Sequence, residues 1–230
     1  MRDRGRGNVS IWNFRLVEVV WVISNFAMAW LQGLYRYDPA TYFHSVRTSK
    51  YFVDFARYIG VRRSEAKYLR LSALLHDIGK LAVPRSILQK NGVLSQKEYR
   101  EIQKHPEIAF AWLTLLGDPS SLAEIPHLHH ERWDGSGYPL GLKGTAIPRE
   151  VRLFSVIDVW DAMRNVRPYR EAIPEDKVLE YLRNSSESQF DTEVVDAFLR
   201  WRRRSVPVPI AAMPRVLVDQ PVAFSLVNKL

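Results

Sequence analysis

The chain has 230 residues, enough to bury a sizeable core in one large domain, and its 47% apolar and 25% charged residues exclude disorder and a multi-span membrane protein. It has no cysteine, which excludes disulfides, thiolate zinc sites and a cysteine nucleophile; any metal must be held by His, Asp or Glu, a donor set suited to Fe, Mn or Zn. The formal charge of +8 comes without a helix-turn-helix or an aromatic-interleaved basic strand, so a nucleic-acid polymer is disfavoured, and a small phosphorylated ligand accounts for the cations around Arg167–Arg170 equally well.

Met1–Asn8 is a Gly/Arg segment expected to be mobile. Val9–Leu34 reads as a helix, uncharged from Val19 onward, and those 16 residues are short for a bilayer span. Arg2, Arg4, Arg6 and Arg15 before the apolar run, with Ala27-Met28-Ala29 after it, mimic a signal peptide, whereas Glu18 argues against one. The expected reading is a helix that packs on the domain or forms a homodimer, in a cytoplasmic protein, with membrane contact through 16–34 or export as alternatives. Too few residues precede Tyr42 to build a sensor domain, so regulation is expected from a protein partner, from oligomerisation or from abundance.

Asp38-Pro39 breaks the chain, and Tyr42–Ile59 recovers helical spacing, with His44 near its start and Gly60 at its end. Ser64 opens the next helix, which runs through Leu74 and Leu75 into His76-Asp77-Ile78-Gly79-Lys80. There an apolar approach meets two adjacent metal-type ligands, a Gly where a helix could stop, and a cation placed for an anionic substrate. Burying imidazole and carboxylate together is costly without partners, and a metal is the natural one.

Pro84–Gly92 reads as a loop, Ser95–Glu98 as a capping box, and His105-Pro106 as a helix restart that aims a side chain inward. The apolar segment Ile108–Leu116 ends in a turn at Gly117-Asp118-Pro119. A short helix from Leu122 then leads to His127-Leu128-His129-His130-Glu131 and a Gly- and Pro-rich loop over Arg132–Gly141 that brings backbone close to something. Pro148 is placed at N1 of a helix over Val151–Met163, in which Asp158 and Asp161, one turn apart, can share a face. Arg167-Pro168-Tyr169-Arg170 presents two cations on a stiffened turn suited to phosphate. Pro174 and Asp191 introduce two more helices, the second ending near Trp201–Arg204, and 205–230 is an irregular Pro-bearing tail.

All six histidines lie between His44 and His130, and with Asp77 and Asp158 they form a donor set large enough for two metals and a bridging carboxylate. Two ions about 3.5–4 Å apart are the usual arrangement for phosphoester hydrolysis. The motifs His76-Asp77-Ile78-Gly79-Lys80, His105-Pro106, His129-His130-Glu131 with Gly137-Tyr138-Pro139, Asp158-Val159-Trp160-Asp161 and Arg167-Pro168-Tyr169-Arg170 agree in order and spacing with one family. Over roughly Asp38–Trp201 the chain resembles the HD-GYP domain, a branch of the HD phosphohydrolase superfamily.

The resemblance implies an all-α HD-domain bundle over 38–204, preceded by an added helix within 1–37 and followed by the tail. It implies hydrolysis of cyclic di-GMP to linear pGpG, and in some members onward to GMP, by a metal-activated hydroxide. By position, His44, His76, Asp77 and Asp158 would hold one divalent ion, Fe or Mn, and Asp77 would bridge to a second held by His105, His129 and His130. Lys80, Arg167 and Arg170 would meet phosphate, with Gly137, Tyr138, Pro139 and Asp161 shaping the substrate side; Asp77 and Lys80 are the expected catalytic pair. His127 has no counterpart and is read as structural. Ala40 stands where three-metal members carry Glu, so two metals are expected, and Arg164-Asn165-Val166 lacks the acidic residue that commonly precedes Arg167. The competing readings are an HD phosphohydrolase for another nucleotide, and a cyclic di-GMP-binding or protein-recruiting module with little turnover.

Overall fold

The computed structural model describes residues 25–116, 122–166 and 171–204. Its fold is all-α: α1 (25–37), α2 (Pro39–Tyr58), α3 (Arg63–Leu74), one-turn α4 (Arg85–Leu88), α5 (Gln96–Ile102), α6 (His105–Leu115), α7 (Glu124–Leu128), α8 (Arg149–Arg164), α9 (Glu175–Asn184) and α10 (Thr192–Arg204). Two 3-10 turns, Ile78–Ala82 and Gly144–Ala146, join them. Among the described residues no strand forms beyond one isolated bridge between Ser186 and Phe190.

Local chemistry sets most of these boundaries. Asp38-Pro39 separates α1 from α2, and Pro39 is tolerated in the first turn because its missing N–H would have had no intrahelical acceptor. Ser95 and Glu98 form the expected capping box on α5, and α6 restarts at His105 with Pro106 in its first turn. Several boundaries differ from expectation: α1 runs to 37 rather than ending at Leu34, α2 begins at Pro39 rather than Tyr42, and α7 begins at Glu124 rather than Leu122. α3 begins at Arg63, one residue before Ser64; Pro148 is the N-cap of α8 rather than its N1 residue; and the loop over Pro84–Gly92 contains the single turn α4.

Side chains pack into two apolar clusters. One joins Phe52 and Phe55 of α2 to Phe154 and Trp160 of α8 and to Phe198 and Trp201 of α10. The other places Ala27, Leu31 and Leu34 of α1, spaced i, i+4, i+7, against Leu71, Leu74, Ala109 and Leu113. Each fully buried Leu there contributes about 1.5–3 kcal/mol. Trp30 stacks on Trp112 with ring centroids 5.8 Å apart. That face of α1 is therefore covered by its own domain instead of being presented to a second copy or a bilayer. No helix among the described residues is long and apolar enough to cross a membrane. Residues 1–24 and the tail over 205–230 lie outside the described residues.

Candidate metal centre

The two clusters meet at a buried polar patch. α3 stops at Leu74, so His76 and Asp77 follow its end, with Leu75 and Ile78 anchored in the α1-side cluster and the His76 ring against Phe154 of the other, centroids 5.0 Å apart. The helix does not stop at Gly79, as its sequence reading supposes. Gly79 lies inside the 3-10 turn, where a Cβ would overlap the carbonyl of His105, so glycine is needed there for close approach to α6.

His76, His105 and His129 are each oriented by their own turn of chain. His76 Nδ1 donates to Ala73 O at 2.8 Å, His105 Nδ1 to Ile102 O at 2.7 Å, and His129 Nδ1 to Ile125 O and Pro126 O at 3.1 Å. A carbonyl only accepts, so each Nδ1 carries a proton and each Nε2 of a neutral ring presents a lone pair to the interior. Burial, outweighing Asp77, holds His105 below the ordinary imidazole value; burial with the neighbouring His130 and His76 holds His129 well below it. Burial and His105 push His130 down to about 3. Neutral rings are what metal ligation requires.

The lone pairs then face one another. His105 Nε2 lies 3.3 Å from His129 Nε2 and 3.2 Å from Asp77 Oδ1, which is itself 3.8 Å from His129 Nε2. Buried His76 Nε2 and Asp77 Oδ1 have no hydrogen-bond partner. Acceptors converging in a buried space are reconciled by a cation, so the residues fit a metal site on their own chemistry. The donor atoms fall into two groups, His44, His76 and Asp77 in one and His105, His129 and His130 in the other, each with its ligand atoms within 4.8 Å of one another. Asp77 belongs to both sides: Oδ1 faces His105 and His129, while Oδ2 lies 3.2 Å from His76 Nε2. Asp158 Oδ1 joins the first group, 2.7 Å from His44 Nε2 and 3.7 Å from His76 Nε2.

Burial alone would raise the Asp77 carboxyl, but the neighbouring His76 and Lys80, with His105 beside them, hold it well below the usual range. Lys80 Nζ donates to Asp77 Oδ2 at 2.7 Å and also lines the cleft above the cluster. For His44, burial is outweighed by its hydrogen bonds to the Asp158 and Asp161 carboxylates, which raise its value.

Asp161 departs from its expected place on the substrate side. It is 2% exposed and does not line the cleft; Oδ2 accepts from His44 Nδ1 at 2.8 Å, and Arg47 forks onto both oxygens at 2.9 and 2.8 Å. Asp161 and Arg47 thus orient His44, and Arg47, three residues after His44, is a functional residue that sequence reading passed over. Glu131 is another. It is buried, and its two oxygens accept from Leu140 N at 2.7 Å and Leu142 N at 2.9 Å, which holds the Gly137-Tyr138-Pro139 loop closed. A Cβ on Gly137 would come within 2.6 Å of Glu131 Cα and His130 O, so this glycine serves close backbone packing beside the site. Tyr138 stacks on His130 with centroids 4.7 Å apart, and Pro139, joined to it by a cis peptide bond, is not among the cleft-lining residues. His127 stays out of both donor groups and stacks on Phe110 at 4.2 Å. Arg167, Pro168, Tyr169 and Arg170 lie outside the described residues.

The model of the family described as HD domain matches residues 33–194. The chain belongs to the HD-domain family. This HD domain is 42% identical over 151 residues to the cyclic di-GMP phosphodiesterase response regulator RpfG of Xanthomonas campestris pv. campestris, covering 64% of this chain and 39% of that one. It is 38% identical over 156 residues to the 3'3'-cGAMP-specific phosphodiesterase 3 of Vibrio cholerae, covering 68% and 34%. The chain therefore spans between a third and two fifths of the length of these relatives. A crystal structure described as a cyclic GMP-AMP specific phosphodiesterase of V. cholerae shares the fold of the HD domain, with a TM-score of 0.60 and 16% identity over 90% of this chain and 53% of that one.

Proposed function

We propose that this HD domain is a metal-dependent phosphodiesterase of the HD-GYP branch, opening cyclic di-GMP to linear pGpG, with GMP as a further product. The observation that carries it is Asp77, whose two oxygens face two separate donor groups at the floor of a cleft of about 1480 Å³. The relatives named as cyclic di-GMP and 3'3'-cGAMP phosphodiesterases support the substrate class.

When bound, two divalent ions, Fe or Mn in this reading, acidify water and offset charge on the phosphodiester oxygens. The chain's own residues do the rest. Asp77 holds the two halves of the site in register, and Lys80, already fixed on Asp77 Oδ2, has further N–H groups to turn toward a phosphate oxygen in the cleft. Arg47 and Asp161 keep His44 Nε2 aimed at Asp158, and Glu131 keeps the Tyr138 loop closed over His130. Arg167 and Arg170 are assigned to phosphate from the sequence pattern.

The test is anaerobic purification with metal analysis, followed by product analysis with cyclic di-GMP and 3'3'-cGAMP offered separately. The expected result is about two Fe or Mn per chain and cyclic di-GMP converted to pGpG. A metal-loaded protein that opens neither cyclic dinucleotide overturns the proposal; one that opens 3'3'-cGAMP alone moves the substrate and keeps the site.

A further inference from the structure

Of nine exposed large apolar side chains among the described residues, four (Phe43, Val93, Tyr99 and Val166) line this one cleft. Apolar surface concentrated on the walls of a single cleft marks a ligand with flat apolar faces. Two of the four are aromatic, and they stand beside different halves of the metal centre. Phe43 is 41% exposed and directly precedes His44 of the first donor group. Tyr35 and Tyr42 meet its ring at 88° and 74°, so neither stacks parallel on it.

Tyr99 is 49% exposed and sits on α5, which is fixed by the Ser95–Glu98 box and by Lys90 Nζ on Glu98 at 2.7 Å. It shares the cleft wall with Tyr138 and His105, and its helix ends at Ile102, whose carbonyl fixes the ring of His105 in the second donor group. Tyr138 already has its ring on His130 of the second donor group, whereas no described ring lies against Tyr99.

Resting on the phosphodiesterase reading above, we propose that Phe43 and Tyr99 are the two base platforms of the site, each stacking one base of a cyclic dinucleotide whose phosphodiester lies over the His/Asp cluster between them. A mononucleotide would use only one. Every base has a π-face, so stacking is tolerant of sequence; the two rings set affinity for cyclic dinucleotides as a class and leave the choice of guanine or adenine to polar groups.

The experiment uses the full chain and a cyclic dinucleotide carrying 2-aminopurine, whose fluorescence is quenched on stacking, with binding read in chelator so that the probe is not consumed. Wild type should quench it. Phe43→Ala and Tyr99→Ala should each weaken binding at least about fivefold, relieve the quench, and raise KM for cyclic di-GMP more than they lower kcat in the metal-loaded protein. Phe43→Tyr and Tyr99→Phe should restore both readouts, and Tyr68→Ala, at a 60% exposed tyrosine on α3 away from the cleft, should change neither. If wild type cleaves cyclic di-GMP while both alanine variants bind the probe within about twofold of it, the platforms are overturned and the activity stands. If wild type neither binds the probe nor cleaves a cyclic dinucleotide, both fall.

Discussion

Replacing Gly79 with Ala tests whether close approach of two backbones sets the metal centre. The added Cβ would overlap the His105 carbonyl oxygen, lie 2.8 Å from its carbonyl carbon and 3.0 Å from Ala109 N, where ordinary contact begins at 3.4 Å. All three obstacles are backbone, so no rotamer change relieves them. The 3-10 turn and α6 must part by at least 0.6 Å at the carbonyl carbon and by more than 1 Å to clear the oxygen, across the same gap that Asp77 and His105 span; misplacement on this scale costs about 10²-fold in rate. Overpacking costs about 1–3 kcal/mol, equivalent to roughly 2–12 °C in Tm for a chain of this size. Gly33→Ala is the control, because its nearest neighbours are Leu81 methyls at 3.7 Å and a mid-helix glycine is less stable than alanine by about 0.5–1 kcal/mol. The measurements are thermal unfolding, metal per chain and initial rate on cyclic di-GMP. Gly79→Ala should lose on all three while Gly33→Ala gains slightly in Tm. Wild-type metal content and a rate within about threefold in Gly79→Ala would refute the reasoning.

Asp77→Ala removes the carboxylate shared by both donor groups and should lower metal content and cut hydrolysis by more than the ~10–100-fold typical of an outer-shell change; undiminished hydrolysis sinks the two-metal reading. Asp161→Ala leaves every metal donor in place but removes the acceptor that orients His44, so affinity for metal, read by chelator competition, should fall ~10–100-fold, and an unchanged affinity would return Asp161 to an incidental role. Glu131→Gln sets an amide N–H against Leu140 N–H or Leu142 N–H, at a cost of about 1–3 kcal/mol; amide exchange at those two residues should quicken, and protection equal to wild type counts against the loop anchor. Glu98 has its carboxyl lowered to about 2 by Lys90 and the Ser95 backbone and side chain. A depressed carboxylate stabilises the fold above its unfolded value of about 4.5 and loses that effect as pH falls through about 2. The Tm gap between wild type and Glu98→Gln should accordingly be constant above pH 4.5 and close toward pH 2; a gap independent of pH contradicts the assignment.

The helices were legible in the sequence because apolar spacing, capping residues and prolines act within a turn or two, as at Ser95–Glu98 and His105-Pro106. What the sequence misassigned depends on partners far along the chain. Asp158 and Asp161 share a helix face as their spacing requires, yet what that face meets is His44, 117 residues before Asp161, and nothing near Asp161 announces it. Gly79 carries the local signature of a helix stop, while its actual constraint is the backbone of α6, at His105. The uncharged run before Leu34 favoured a packed or dimer-forming helix over membrane contact without saying which surface it meets; the structure seats Ala27, Leu31 and Leu34, at i, i+4 and i+7, on the core of its own domain.

The histidines divide the same problem in a useful way. His76, His105 and His129 each fix their ring on a carbonyl three or four residues back, so the direction of every Nε2 is encoded locally. Tertiary packing then has only to bring three pre-aimed turns together, and the α3 end, α6 and α7 do so around Asp77. A donor set oriented by its own backbone loses little rotamer freedom when a cation arrives. That is why the acceptors can stand 3.2–3.3 Å apart in a folded chain: the core holds them there, and a cation relieves the repulsion.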